Sequence, residues 1–200
     1  MGLRFWPPPR LCNQPGSVSG ATIETLKNIN DSSNFERRVA LLGATVFGVG
    51  FAPIAPGTFG SVAGVAVFLG LSQLPATLYA LTVLALFALG VWAADCVEVI
   101  FKKQDDGRIV IDEVVGQLLT LSPLLFCGEL SLASWKSWLL LGAGFLLFRA
   151  LDIAKPGPIR MAERAFSGGL GVMLDDVVAG IFGAGALVLL IWGFRGGLSG

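Results

Sequence analysis

The sequence predicts an all-α fold, a polytopic transmembrane helical bundle with one broken or re-entrant segment. Two observations carry that expectation. Of its 200 residues, 54% are hydrophobic and only 14% charged, with a mean hydropathy of +0.75, which is more apolar material than one water-soluble core of this size can hide. The apolar residues are also gathered into runs approaching the roughly 20 residues that cross a hydrocarbon core as a helix. One of those runs is interrupted by prolines and glycines.

Taken in order, residues 1–36 hold no apolar run long enough for a signal-peptide core, and their Pro, Gly and Ser content reads as a polar, partly disordered cytoplasmic tail. The stretch 39–73 is apolar but contains Pro53, Pro56, Gly57 and Gly60, so it cannot be one continuous helix. The expected solution is a short half-helix, a loop at 52–60, then a span at 61–73 that turns at 72–75. Residues 75–94 are a full span entered at Pro75, where a first-turn proline costs no hydrogen bond. Two shorter runs, 114–127 and 138–151, flank a polar connection with Glu129 and Lys136 and read as a helical hairpin. The last span, 177–194, carries Gly180, Gly183, Ala184 and Gly185, which allow close helix approach. There is no internal repeat and no second domain, so 37–195 reads as one transmembrane domain.

Fourteen Lys+Arg balance 14 Asp+Glu, so net charge predicts no nucleic-acid partner. The sequence holds no histidine, which excludes an imidazole base, a phosphohistidine or a His-bound zinc. Cys12, Cys96 and Cys127 are too far apart for a metal knuckle, none is followed six residues on by Arg, and they read as packing residues. Arg37 and Arg38, then Lys102, Lys103 and Arg108, then Lys155, Arg160 and Arg164 mark three loops that the positive-inside rule places in the cytoplasm. The C-terminal Arg195 falls on the other side.

Those same loops concentrate the acids. Asp112 and Glu113 follow an apolar triplet and begin a membrane helix, where the helix dipole favours them but adjacent carboxylates call for a neutralising cation. Arg149, Asp152 and Lys155 share a helical face at three-residue spacing, and Asp175 and Asp176 open the last helix beside a glycine-rich stretch. Asp112, Glu113, Asp152, Asp175 and Asp176 therefore read as a carboxylate cage for a hard divalent ion, Mg2+ rather than zinc. Arg149, Lys155 and Arg160, with Thr58, Gly60 and Ser61 of a PGTFGS loop, read as an anion pocket. Metal and anion pocket together point to phosphate, with Asp112, Glu113, Asp152, Asp176 and Lys155 as the catalytic set and the nucleophile, water or carboxylate, left open. Plainer accounts exist for each piece: a proline turn, a solvated Asp105, an intrahelical Arg149–Asp152 pair.

At APGTFGS (55–61), DDGRIVIDEVVG (105–116), FRALDIAKPGPIR (148–160) and GGLGVMLDDVVAG (168–180), in that order, the chain resembles the phosphatidylglycerophosphatase A family over roughly residues 40–185. The resemblance implies a multi-pass protein of the bacterial inner membrane whose site faces the cytoplasm. It also implies Mg2+-dependent hydrolysis of the terminal phosphate of phosphatidylglycerophosphate, giving phosphatidylglycerol and inorganic phosphate. A small ion or phosphate transporter is the alternative, since broken helices with membrane carboxylates also describe transporters.

Overall fold

The computed structural model describes residues 23–101, 103, 106–155, 157 and 166–196, and it is helical, with no β-strand among them. Helix α1 runs Ile23–Ala44, α2 Pro56–Leu71, α3 Ala76–Phe101, α4 Ile111–Phe126, α5 Trp135–Ala154 and α6 Gly169–Gly196, with one 3-10 turn at Val49–Phe51. By length and composition α3, α5 and α6 can each cross a membrane. The apolar α2 and the α4 helix have 16 residues each, about 24 Å of rise against a hydrocarbon core of roughly 30 Å. Helix α4 is the enclosed one, buried around most of its circumference from Ile111 to Leu124.

Two boundaries differ from expectation. Helix α1 already begins at Ile23, so residues 23–36 of the expected polar tail are helical. That stretch has no apolar period to betray a helix, and hydropathy passes over it. The break in the next segment falls at residues 45–55 rather than 52–60. Pro56 occupies the first helical position, where its missing N–H is no loss, so PGTFGS is helix and not loop. The chain turns through positive φ at Val46, Phe47 and Gly48 and again at Ala55, conformations that a β-branched residue adopts only when held there. The Thr45 hydroxyl, which donates to the Leu41 carbonyl and accepts from the Gly48 N–H, does part of that holding.

The connection before α4 seats on this break. The Val110 N–H donates to the Ala44 carbonyl at 2.9 Å and the Ile109 N–H to the Asp106 carbonyl at 2.8 Å. Arg108 forks onto the Asp106 carboxylate at 2.7 and 3.0 Å and lies 3.5 Å over the Phe101 ring. A β-carbon on Gly50 would fall 2.0 Å from the Arg108 carbonyl oxygen, so no larger residue lets the two segments meet.

Small residues set the helix crossings around α4. A β-carbon on Gly180 would meet the Gly116 carbonyl oxygen at 2.6 Å, and one on Gly64 would meet the Gln117 β-carbon at 2.8 Å. The Thr120 hydroxyl bridges the Gly116 and Gly180 carbonyls at 3.0 and 3.3 Å. Pro123 lies inside α4 and has no N–H for the Leu119 carbonyl. The Ser122 hydroxyl donates to that carbonyl instead, at 2.8 Å, satisfying a group that hydrocarbon would leave unpaired. Tyr79 of α3 ties in through its hydroxyl to the Leu118 carbonyl at 2.7 Å. Cys96 is buried and disulfide-bonded, so it is more than the packing residue expected, while Cys127 is a free thiol.

Far along α4 from its acidic first turn, Arg195 of α6 donates to Glu129 and to the Cys127 carbonyl, each at 2.7 Å. The arginine that violates the charge asymmetry is thus paired with the connection between α4 and α5.

Gly180→Leu should destabilise the bundle by roughly 1–3 kcal/mol through overpacking at the α4–α6 crossing, read as an earlier thermal unfolding midpoint in detergent; an unchanged midpoint would show that the helices do not meet there. The Arg108 guanidinium holds the Asp106 carboxyl at about 2, below its ordinary 3.8. A depressed folded value contributes stability above the ordinary pKa and loses it as pH falls toward 2. Asp106→Asn should therefore be less stable than the wild type at pH 6, with the gap closing in acid, as followed by chemical unfolding at several pH values.

Candidate active site

Three helix segments bring the acids together at one end of the bundle. Asp112 and Glu113 stand in the first turn of α4, where unpaired backbone N–H groups favour carboxylates. Asp152 lies in the last turn of α5. Asp175 and Asp176 are not at the start of the last helix, as expected, but about two turns inside α6, which begins at Gly169. The reason is the glycine-rich stretch, which reads as loop in sequence but is helix from Gly169 onward. A β-carbon on Gly169 would lie 2.1 Å from the Val91 carbonyl oxygen, and Gly169 donates its N–H to Asp95 of α3 at 2.7 Å. Asp95 thereby caps α6 from another helix.

The five acids separate into two kinds. Arg149 pairs with Asp152, and Lys155 pairs with Asp175 at 2.7 Å. Asp112, Glu113 and Asp176 form no ion pair with any described residue. Each of the three offers one carboxylate oxygen to a group whose members all lie within 4.8 Å of one another. Asp112 and Asp176 are buried, the Glu113 Oε2 is buried without a hydrogen-bond partner, and Asp152 adjoins Asp176. Burying like charges this close, with nothing opposite, is costly unless a cation joins them. An all-oxygen donor set, free of His and thiolate, fits a hard divalent ion, so these residues pass the test for the expected metal.

Thr58, Gly60 and Ser61 lie within α2. Their backbone cannot act as an open loop: the Thr58 N–H goes to the Ala55 carbonyl at 2.9 Å and the buried Ser61 hydroxyl back to Gly57 at 2.9 Å. Gly60 also makes a close helix contact, since its β-carbon would meet that of Val110 at 2.8 Å. The residue of this motif nearest the acids is Gly57, where a β-carbon would lie 2.3 Å from Glu113 Oε1 and 3.3 Å from Arg149 Nη1. Arg149 keeps its Nε buried and without a partner, a donor available to an anion. Arg160 and Asp105 lie outside the described residues.

Sequence reading missed Asp95 and Glu98, both buried near the end of α3, and the wholly buried Gln117. The signal for the first two was present: acids three residues apart, continuing an apolar run beyond its expected end at 94.

Fold and site together define a polytopic helical membrane protein with an enclosed carboxylate centre flanked by paired cations. Residues 42–191 match the family model described as phosphatidylglycerophosphatase A. The chain belongs to that family. It is 38% identical over 147 residues to phosphatidylglycerophosphatase A of Escherichia coli K12, covering 74% of this chain and 80% of the relative. It is 37% identical over 142 residues to the Haemophilus influenzae protein of the same name, covering 70% and 80%. A Bacteroides thetaiotaomicron protein, provisionally named a phosphatidylinositol-3-phosphatase, is 38% identical over 158 residues, covering 76% and 93%. No solved structure matches the chain.

Lys155→Met removes the cation paired with the mostly buried Asp175 carboxylate and should cost roughly 1–3 kcal/mol, less than for a fully buried pair because Lys155 is partly exposed. Combining it with Asp175→Asn should restore much of the loss. Unfolding midpoints of the two single variants and the double variant decide the point, and purely additive losses would mean the two side chains do not interact.

Proposed function

We propose that the protein hydrolyses the terminal phosphate of phosphatidylglycerophosphate with the aid of Mg2+, at the cytoplasmic face of a bacterial inner membrane. Family membership makes it a phosphatidylglycerophosphatase, a phosphoric monoester hydrolase. The observation that carries the rest is the group formed by Asp112, Glu113 and Asp176, set beside Arg149 and the first turn of α2. A divalent ion held by those three acids would supply Lewis-acid polarisation of a phosphoryl oxygen.

The chain's own groups divide the remaining work. Arg149, oriented by its pair with Asp152, offers its unpartnered Nε to the phosphate. The N-terminal turn of α2 turns the positive end of its dipole toward the same anion. Lys155, engaged with Asp175, holds that acid's charge in balance and keeps the end of α5 against α6. Asp152, adjacent to Asp176, is the carboxylate placed to receive or return a proton.

Helix-end location also supports an enzyme over a transporter. The acids gather at one end of α4 and α5, whereas a translocation site belongs near the bilayer midplane. The basic residues of the neighbouring connections, Lys103, Arg108 and Lys155, support the cytoplasmic assignment through the positive-inside rule.

Purified protein in detergent, given phosphatidylglycerophosphate, should release inorganic phosphate with Mg2+, stop on chelation with EDTA and resume when Mg2+ is restored. Asp112→Asn and Asp176→Asn should each lower turnover by at least about a thousandfold, the scale of losing a principal electrostatic group, with an unchanged elution profile. Phosphatidylinositol 3-phosphate belongs in the same assay, and faster release from it would replace the substrate assignment. Full activity in EDTA, or in both Asn variants, would remove the metal site from the reaction.

A further inference from the structure

Resting on the lipid-phosphatase reading above, we propose that the groove between α3 and α4 seats one acyl chain of the substrate and so sets a preference for chain-bearing phosphomonoesters. The groove has a volume of about 380 Å³. Its α4 wall is the stripe Val115, Leu119, Ser122 and Phe126, spaced four, three and four residues apart and therefore one face of the helix. Asp112 stands three residues before Val115 on that same stripe. A second wall member, Val177 of α6, directly follows Asp176. Two of the three unpaired acids thus head the walls of the groove.

Chemistry identifies the occupant as hydrocarbon. The groove contains two hydroxyls, and both are turned onto backbone: Tyr79 onto the Leu118 carbonyl at 2.7 Å and Ser122 onto the Leu119 carbonyl at 2.8 Å. What remains facing the space is aliphatic and aromatic. The floor is formed by Tyr79, Val83 and Val115, at 2, 7 and 1% exposure, while Leu84 and Phe126 stand out as rims at 63% each. From Val115 to Phe126 the α4 wall rises about 16 Å, and one leaflet of a hydrocarbon core is about 15 Å deep. A chain lying in the groove from rim to end keeps its headgroup at the level of Asp112 and Asp176, so chain binding orients the phosphate.

The test compares kcat/KM for dioleoyl and dihexanoyl phosphatidylglycerophosphate on the full chain in detergent, expressed as the long-chain to short-chain ratio. Ala80→Trp, which fills the groove from the exposed side of α3, should lower that ratio about tenfold, and Leu84→Ala, which removes one rim, should lower it severalfold through lost apolar contact. If Ala80→Trp does not give a folded, monodisperse protein, the Leu84→Ala ratio decides. A ratio unchanged in the folded variants, with hydrolysis retained, overturns the proposal: the groove then holds bulk lipid. An unchanged ratio with a changed particle mass overturns it in favour of a second copy of the chain. Wild-type protein that hydrolyses neither lipid overturns the functional reading itself, and the groove assignment with it.

Discussion

The site depends on the contact between α4 and α6 at Gly116 and Gly180. With no side chain on either residue, the backbones approach until the Thr120 hydroxyl reaches both carbonyls. That approach brings the first turn of α4 to the level of Asp176 in α6, so that acids separated by more than 60 residues in sequence share one small volume. The glycines of α2 do the same on the other side, setting its first turn against Glu113 and Arg149. In a bilayer, where apolar burial between helices gains little over contact with lipid, such small-residue packing and internal hydrogen bonds carry the association.

Electrostatics explains why the acids are arranged in two classes. Asp152 and Asp175 are matched by Arg149 and Lys155 on or just after α5, pairs that pin the end of that helix. Asp112, Glu113 and Asp176 are left as an enclosed negative centre that carries no stabilising value for the fold by itself. Burying such a group costs stability, and the local consistency seen elsewhere in the chain makes the exception informative. Asp95 illustrates the contrast, because its buried carboxylate is used structurally, as a cap on α6.

Gly and Pro were the least transparent letters in the sequence. Pro56, Gly57 and Gly60 suggest a loop when read locally, as do Gly168, Gly169 and Gly171. In the fold most of them are helical, and their purpose is contact with a neighbouring helix that local pattern cannot reveal. That single ambiguity displaced the break from 45–55 to 52–60, moved Asp175 and Asp176 to a helix start, and put Gly60 of α2 in a loop. The helical stretch at 23–36 was missed because its run of Asn, Asp and Ser reads locally as loop.

Sequence alone determined the class of the molecule and the chemistry open to it. Hydropathy demands a bilayer, the absence of histidine removes whole mechanisms, and acids gathered near basic connections point to a group that could hold a hard cation. Only the tertiary structure decided which acids remain for a cation and which are consumed by Arg149 and Lys155. Pairing is a matter of distances between helices, and helical spacing within one segment is silent about what the next helix presents.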